Sequence, residues 1–195
     1  MLDPMAEVLL FHHALGLTDG VTAFAEDLRG AGHVVHTPDL FEGETFDSVP
    51  DGVANARAIG FGTIMERGAA AAEDLPSDLV YGGFSLGVLS AQMLTQMRPG
   101  ARGGLFYYGF LDPSEFEAPW PGGVPAQIHI MRDDPEAQEG DLDAARAFDA
   151  MTASTELFLY PGDRHLFADP SFSDYDEAAA ALLRERTLGF LDRVG

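Results

Sequence analysis

Short apolar runs alternate along this chain with stretches of helical period. Residues 7–11 (EVLLF) form a continuous apolar run, as a strand buried on both faces does, and end in the segment His12-His13-Ala14-Leu15-Gly16. Over 20–31, Val21, Phe24, Ala25 and Leu28 share one helical face, and Gly30 and Gly32 supply a stop. A strand is predicted at 33–37, closed by Pro38; residues 43–52 have turn-like composition, and 53–72 predict one helix broken around Gly60 and Gly62.

The pattern repeats in the second half. An apolar strand at 78–84 leads into a helix at 86–97, whose Leu89, Met93 and Met97 recur at helical spacing and are read as core. Strands are predicted at 104–110, 126–131 and 156–160, with a helix at 141–151 between the last two. Ser173 and Asp176 stand in capping-box spacing before a closing helix that buries Leu183, Thr187, Phe190, Leu191 and Val194. Strands alternating with helices, without a repeat or linker, predict one domain over 1–195. Its core would be a mostly parallel sheet of about six to eight strands with helices on both faces. In such α/β folds the chemistry sits at the carboxyl ends of the strands.

Composition narrows the chemistry. The chain has no cysteine, which removes disulfides, thiolate metal sites and a cysteine nucleophile. Its 32 acidic residues face 11 basic ones, all arginine, for a formal charge of −21. Such a surface repels nucleic acid and anionic membranes and disfavours strongly anionic substrates. The start, MLDPMAEVLLFHH, has no basic segment, and its apolar run is too short for a leader core or a membrane span, so a cytoplasmic location is expected.

The candidate chemistry centres on GGFSLG, residues 82–87. A G-x-S-x-G match is a weak signal alone, but Ser85 here follows a predicted strand and precedes a helix, the context a nucleophile elbow requires. Glycines permit the sharp turn, and the helix aims its N-terminal amides at charge developing near Ser85. A serine hydroxyl needs a base, and His165 lies after the last strand and before the closing helix, where this architecture supplies one. His33, His36 and His129 fall within predicted strands and are read as structural.

The carboxylate that would orient His165 is sought after the strand 126–131, in Arg132-Asp133-Asp134-Pro135. Asp134 is preferred, Asp133 is second and Asp112 third. The order Ser85, Asp134, His165 is that of the α/β-hydrolase triad. The expected oxyanion donors are the backbone N–H of Leu86 and one from the loop after the first strand, Ala14 or His13. His13, Phe84, Tyr108 and Phe167 are candidates for the wall of a substrate pocket.

At this point the sequence resembles the dienelactone hydrolase family nearly end to end. LLFHHALGLTDGVTAFAEDLRGAGHVVHTPDLF is similar to that family's first strand, oxyanion loop, helix and second strand; GFSLG, RDDP and RHLFAD stand at its elbow, acid loop and histidine loop. The resemblance implies an α/β-hydrolase fold, with Ser85, Asp134 and His165 catalytic and the Leu86 and Ala14 amides as oxyanion hole. Three residues depart from the family pattern. Ser85 stands where the best-known members have cysteine, His13 where they have a glutamate, and Asp169 where members that take dienelactone have an arginine. The resulting expectation is hydrolysis of a neutral carboxylic ester or lactone, with no cofactor and no metal. A small-molecule substrate is the expected partner, self-association is left open, and neither nucleic acid nor membrane is expected. The alternative is a non-catalytic small-molecule-binding protein on the same scaffold.

Overall fold

In the computed structural model, which describes residues 5–195, the apolar runs become six strands. They are β1 (Glu7–Phe11), β2 (Val34–His36), β3 (Val80–Phe84), β4 (Gly103–Tyr107), β5 (Ala126–Met131) and β6 (Thr155–Tyr160). The helices between and after them are α1 (Asp19–Gly30), α2 (Val49–Ile59), α3 (Phe61–Ala72), α4 (Gly87–Met97), α5 (Asp141–Met151) and α6 (Glu177–Val194). Every strand pair is parallel, in the order β2-β1-β3-β4-β5-β6.

That order decides where a site can form. From β1 the chain steps outward to β2, and from β3 it steps the other way through β4, β5 and β6. The direction therefore reverses between the adjacent strands β1 and β3. The connections leaving their carboxyl ends diverge to opposite faces, and this reversal is where parallel sheets of this kind place their ligands.

Alternation along the strands builds two cores. Val8, Leu10, Val80, Phe84, Leu105 and Tyr107 point to the face covered by α1 and α6. Leu9, Phe11, Tyr81, Phe106, Ile128 and Ile130 point to the face covered by α3, α4 and α5. Each large side chain so buried contributes about 1.5–3 kcal/mol relative to exposure. No helix among the described residues is long and apolar enough to cross a membrane.

Several boundaries differ from expectation for local reasons. The break expected around Gly60 and Gly62 falls at Gly60, φ 95°, and is complete, so that α2 and α3 are separate helices, and α2 begins earlier than expected, capped by the Ser48 side chain on the Asp51 amide. Strand β4 stops at Tyr107, because Tyr108 at φ 73° turns the chain out of the sheet. The closing helix takes Asp176 as its N-cap, accepting from the Ala179 amide, while the Ser173 hydroxyl contacts Asp174 instead of a helix amide. His33 stands just before β2, where its Nδ1 accepts from the Ala6 amide.

Candidate active site

Ser85 sits at the carboxyl end of β3 with φ 48°, in the left-handed region that costs a non-glycine residue about 1–2 kcal/mol. The strain is held on both sides, since the Ser85 N–H donates to the Tyr107 carbonyl at 2.8 Å and its own carbonyl accepts from Val88 at 2.8 Å. Only glycine fits around this turn. A Cβ at Gly83 would strike the Gly87 carbonyl oxygen, and one at Gly87 would lie 2.5 Å from the Phe11 carbonyl oxygen and 2.7 Å from that of His12. The elbow is thus pressed against the end of β1, where the strand order reverses.

Two later loops bring a base and an acid to this point. The Ser85 Oγ lies 2.8 Å from the His165 Nε2, and the His165 Nδ1 lies 2.7 Å from the Asp134 Oδ2. An ionised carboxylate only accepts, so Nδ1 carries the proton and Nε2 is free to accept from the serine. Asp134 is fully buried, and its second oxygen accepts from the Glu136 amide at 3.0 Å. Neighbouring Asp133 points to solvent, and its amide ties the acid loop to the Gly162 carbonyl of the histidine loop. Asp112 caps a short turn of 3-10 helix through the Ser114 amide and does not reach His165.

The histidine loop is held from beneath. Leu166 and Phe167 are buried, and the Ala168 amide donates to the Tyr108 hydroxyl at 3.1 Å. Burial pushes the Tyr108 phenol well above its ordinary pKa, so it stays neutral and able to accept. This revises the expected pocket wall. His13, Phe84, Tyr108 and Phe167 are each no more than 2% exposed, and the gap that His13, Phe84 and Tyr108 help to line is too small to admit a water molecule. Aromatic rings at the ends of central strands pack on one another, as Phe84 stacks on Tyr107 and Tyr108 meets Phe167 edge-on, and so they floor the site instead of opening onto it.

His13 and Asp169, which depart separately from the family pattern, lie against each other. The His13 Nε2 donates to the Asp169 Oδ2 at 2.7 Å, while its Nδ1 accepts from the Leu15 amide at 3.3 Å. Asp169 also accepts from the Thr18 hydroxyl at 2.8 Å, the Ser171 amide at 2.7 Å and the Ser171 hydroxyl at 2.5 Å. Burial would raise its pKa, but hydrogen bonds from His13, Ser171 and Thr18, with the His13 ring, outweigh it and lower the value to about 2. The pair ties the loop after β1 to the loop bearing His165.

The N–H groups of Leu86 and Ala14 donate to no protein group among the described residues. Leu86 opens the turn into α4, and Ala14 is buried in the β1 loop that abuts the elbow. The surroundings are acidic. Asp141, in the first turn of α5, has its pKa raised to about 6, mainly by burial, with Asp134 and Glu115 adding to the rise against the Phe110 amide and His165. This residue was not singled out from the sequence, where it is one of a run of acidic positions. His129 is structural as expected: it is buried in β5 between the Tyr160 hydroxyl and Gln127, with burial lowering its pKa to about 3. No group of three or more His, Asp or Glu among the described residues is arranged to hold a metal.

Comparison with known proteins agrees with this architecture. The model of the dienelactone hydrolase family matches residues 3–195. A dienelactone hydrolase-like promiscuous phosphotriesterase from metagenomic libraries superposes with a TM-score of 0.76 at 19% identity, over 100% of this chain and 88% of that one. A dienelactone hydrolase from Anabaena variabilis gives 0.69 at 18% identity, over 99% and 88%. A cold-adapted esterase from an Arctic intertidal metagenomic library gives 0.63 at 18%, over 98% and 84%. Among curated proteins, no sequence matches.

Proposed function

The chain belongs to the dienelactone hydrolase family, and from that premise we propose that it hydrolyses a carboxylic ester or lactone through a Ser85 acyl-enzyme. Membership in a hydrolase family supports a hydrolase activity in general. The observation that carries the finer reading is the hydrogen-bonded run from Ser85 through His165 to Asp134, mounted on a left-handed elbow at the start of a helix.

In this reading the Ser85 Oγ attacks the substrate carbonyl carbon as its proton passes to the His165 Nε2. Asp134 holds the ring in the required tautomer and stabilises the imidazolium. The negative oxygen of the tetrahedral intermediate accepts from the Leu86 and Ala14 amides, aided by the dipole of α4. As the bond to the alcohol breaks, His165 returns the proton to the departing oxygen. Water then repeats the sequence on the acyl-enzyme, His165 taking its proton, and the acid leaves with Ser85 restored. A donor to the oxyanion contributes about 10²–10³ in kcat.

The substrate in this proposal is uncharged. The position that holds an arginine in dienelactone-binding relatives is Asp169, itself committed to His13, and Asp141 adds a further acidic group near His165. A fluorophosphonate probe tests the nucleophile. The wild-type chain should label and Ser85→Ala should not; equal labelling, or none in either, overturns the assignment.

A further inference from the structure

The Ala14 N–H, one of the two proposed oxyanion donors, is aimed by the peptide it belongs to. A trans peptide is planar, so the N–H of Ala14 and the carbonyl of His13 belong to one rigid unit and point in opposite directions. Whatever holds that carbonyl therefore holds the donor. The His13 carbonyl oxygen engages the His12 Nδ1 at 2.7 Å and the Gly16 amide at 3.1 Å. A carbonyl has two lone pairs, and these two partners occupy both.

Which nitrogen of His12 carries its proton is fixed from a different part of the fold. The Leu40 amide, in the connection between β2 and α2, donates to the His12 Nε2 at 3.0 Å. A backbone N–H can only donate, so Nε2 presents its lone pair and the proton sits on Nδ1, facing the His13 carbonyl. The ring is fully buried, edge-on to Phe41 with centroids 4.9 Å apart. Asp39, 3.8 Å from Nε2, would favour a proton there, but its Oδ1 accepts from the Phe41 amide at 2.9 Å and its Oδ2 from the Gly43 amide. Burial lowers the His12 pKa to about 4, consistent with a neutral ring at pH 7.

We propose that His12 is a positioning residue for the reaction, its Nδ1–H fixing the plane of the His13–Ala14 peptide and so aiming the Ala14 amide at the oxyanion. This rests on the hydrolase reading and adds a residue that never touches substrate. It also links the β2–α2 connection to the site, because the Leu40 amide selects the tautomer.

Asparagine and leucine have the same side-chain shape, and only asparagine can place an N–H where the His12 Nδ1 stands. His12→Asn and His12→Leu share the loss of the ring and of the Leu40 contact, so their difference reads the bond to the His13 carbonyl. Kcat should fall at least about 10-fold further in His12→Leu than in His12→Asn, with KM within about threefold, short of the 10²–10³ for loss of a donor. Affinity for phenylboronic acid, which mimics the tetrahedral state at Ser85, should fall by the same factor. Equal kcat in two folded variants, or a difference confined to KM, overturns the proposal.

Nitrogen NMR of the wild-type chain at pH 7 gives a reading that does not depend on turnover or on either variant folding. It should find the His12 Nδ1 protonated, Nε2 bare, and coupling from Nδ1–H to the His13 carbonyl carbon. The opposite tautomer overturns the proposal. Failure of wild-type Ser85 to take a fluorophosphonate would instead sink the reaction while leaving the peptide clamp intact.

Discussion

Replacing Asp169 by asparagine keeps the shape of a buried side chain and removes its charge. The wild-type carboxylate is 3% exposed and accepts from His13 and Thr18 on one oxygen and from Ser171 on the other, and an amide can accept on one side only, turning its NH2 toward the donors on the other. Its pKa falls from 3.8 to about 2 in the folded chain. At 1.36 kcal/mol per unit this is about 2 kcal/mol of stability. For a chain of this size such a loss lowers Tm by about 4–8 °C. The sign of the pH dependence is set by the direction of the shift. A depressed acid contributes fully above its unfolded value and loses its contribution as pH falls from about 4 toward 2. Urea unfolding of wild type and Asp169→Asn at pH 7 should differ by about 2 kcal/mol, and the gap should close as pH drops through that window. A variant as stable as wild type at pH 7, or a gap unchanged at pH 2.5, refutes the reasoning.

Asp134→Asn should lower kcat by about 10⁴ with the fold retained, whereas Asp133→Asn, whose side chain is exposed, should stay near wild type; the reverse pattern in steady-state kinetics would displace Asp134. Gly87→Ala places a methyl 2.5 Å from the Phe11 carbonyl oxygen, so thermal melts should record a loss of about 2 kcal/mol or more and kcat should fall with it. Asp141 has a raised pKa of about 6, so its ionisation costs stability as pH rises from about 4 to above 6. Asp141→Asn should therefore gain about 1–3 kcal/mol on wild type between pH 4 and pH 7 in urea titrations, and a gain independent of pH would contradict the burial argument. Across matched substrates, neutral esters or lactones should be turned over faster than carboxylate-bearing ones, and a dienelactone carboxylate as the best substrate in a kinetic panel would reject that preference.

The parts of this molecule that could be read from sequence are those governed by local periodicity and by chemical type. Buried parallel strands favour continuous apolar runs, so EVLLF declared itself, AQIHIM is legible from Ile128, Ile130 and Met131 despite the buried Gln127 and His129, and the Gly-Phe-Ser-Leu-Gly elbow is legible because its turn admits so few residues. Apolar pattern carries strand β4 three residues past its end, because Tyr108 and Phe110 are as apolar as a strand requires and only the backbone turn at Tyr108 removes them. The pocket wall is ambiguous in the sequence for a related reason. An aromatic at a strand end has the same signature whether it floors a site or lines it, and here His13, Phe84, Tyr108 and Phe167 are floor. His12 and Asp141 left no trace, since their roles depend on partners 28 residues away in one case and on burial in the other.

The contact between His13 and Asp169 also constrains how this chain could have come from ancestors with the common residues. Starting from a relative with an acid at the first position and a base at the second, replacing the base alone by aspartate would set two carboxylates against each other in the interior. Two carboxylates so placed cannot both ionise without cost, and one is held protonated. The two positions are therefore coupled, and a relative's acid at position 13 should be tolerated best when Asp169 is replaced with it. Thr18 and Ser171, which also donate to the carboxylate, would be the next positions to follow.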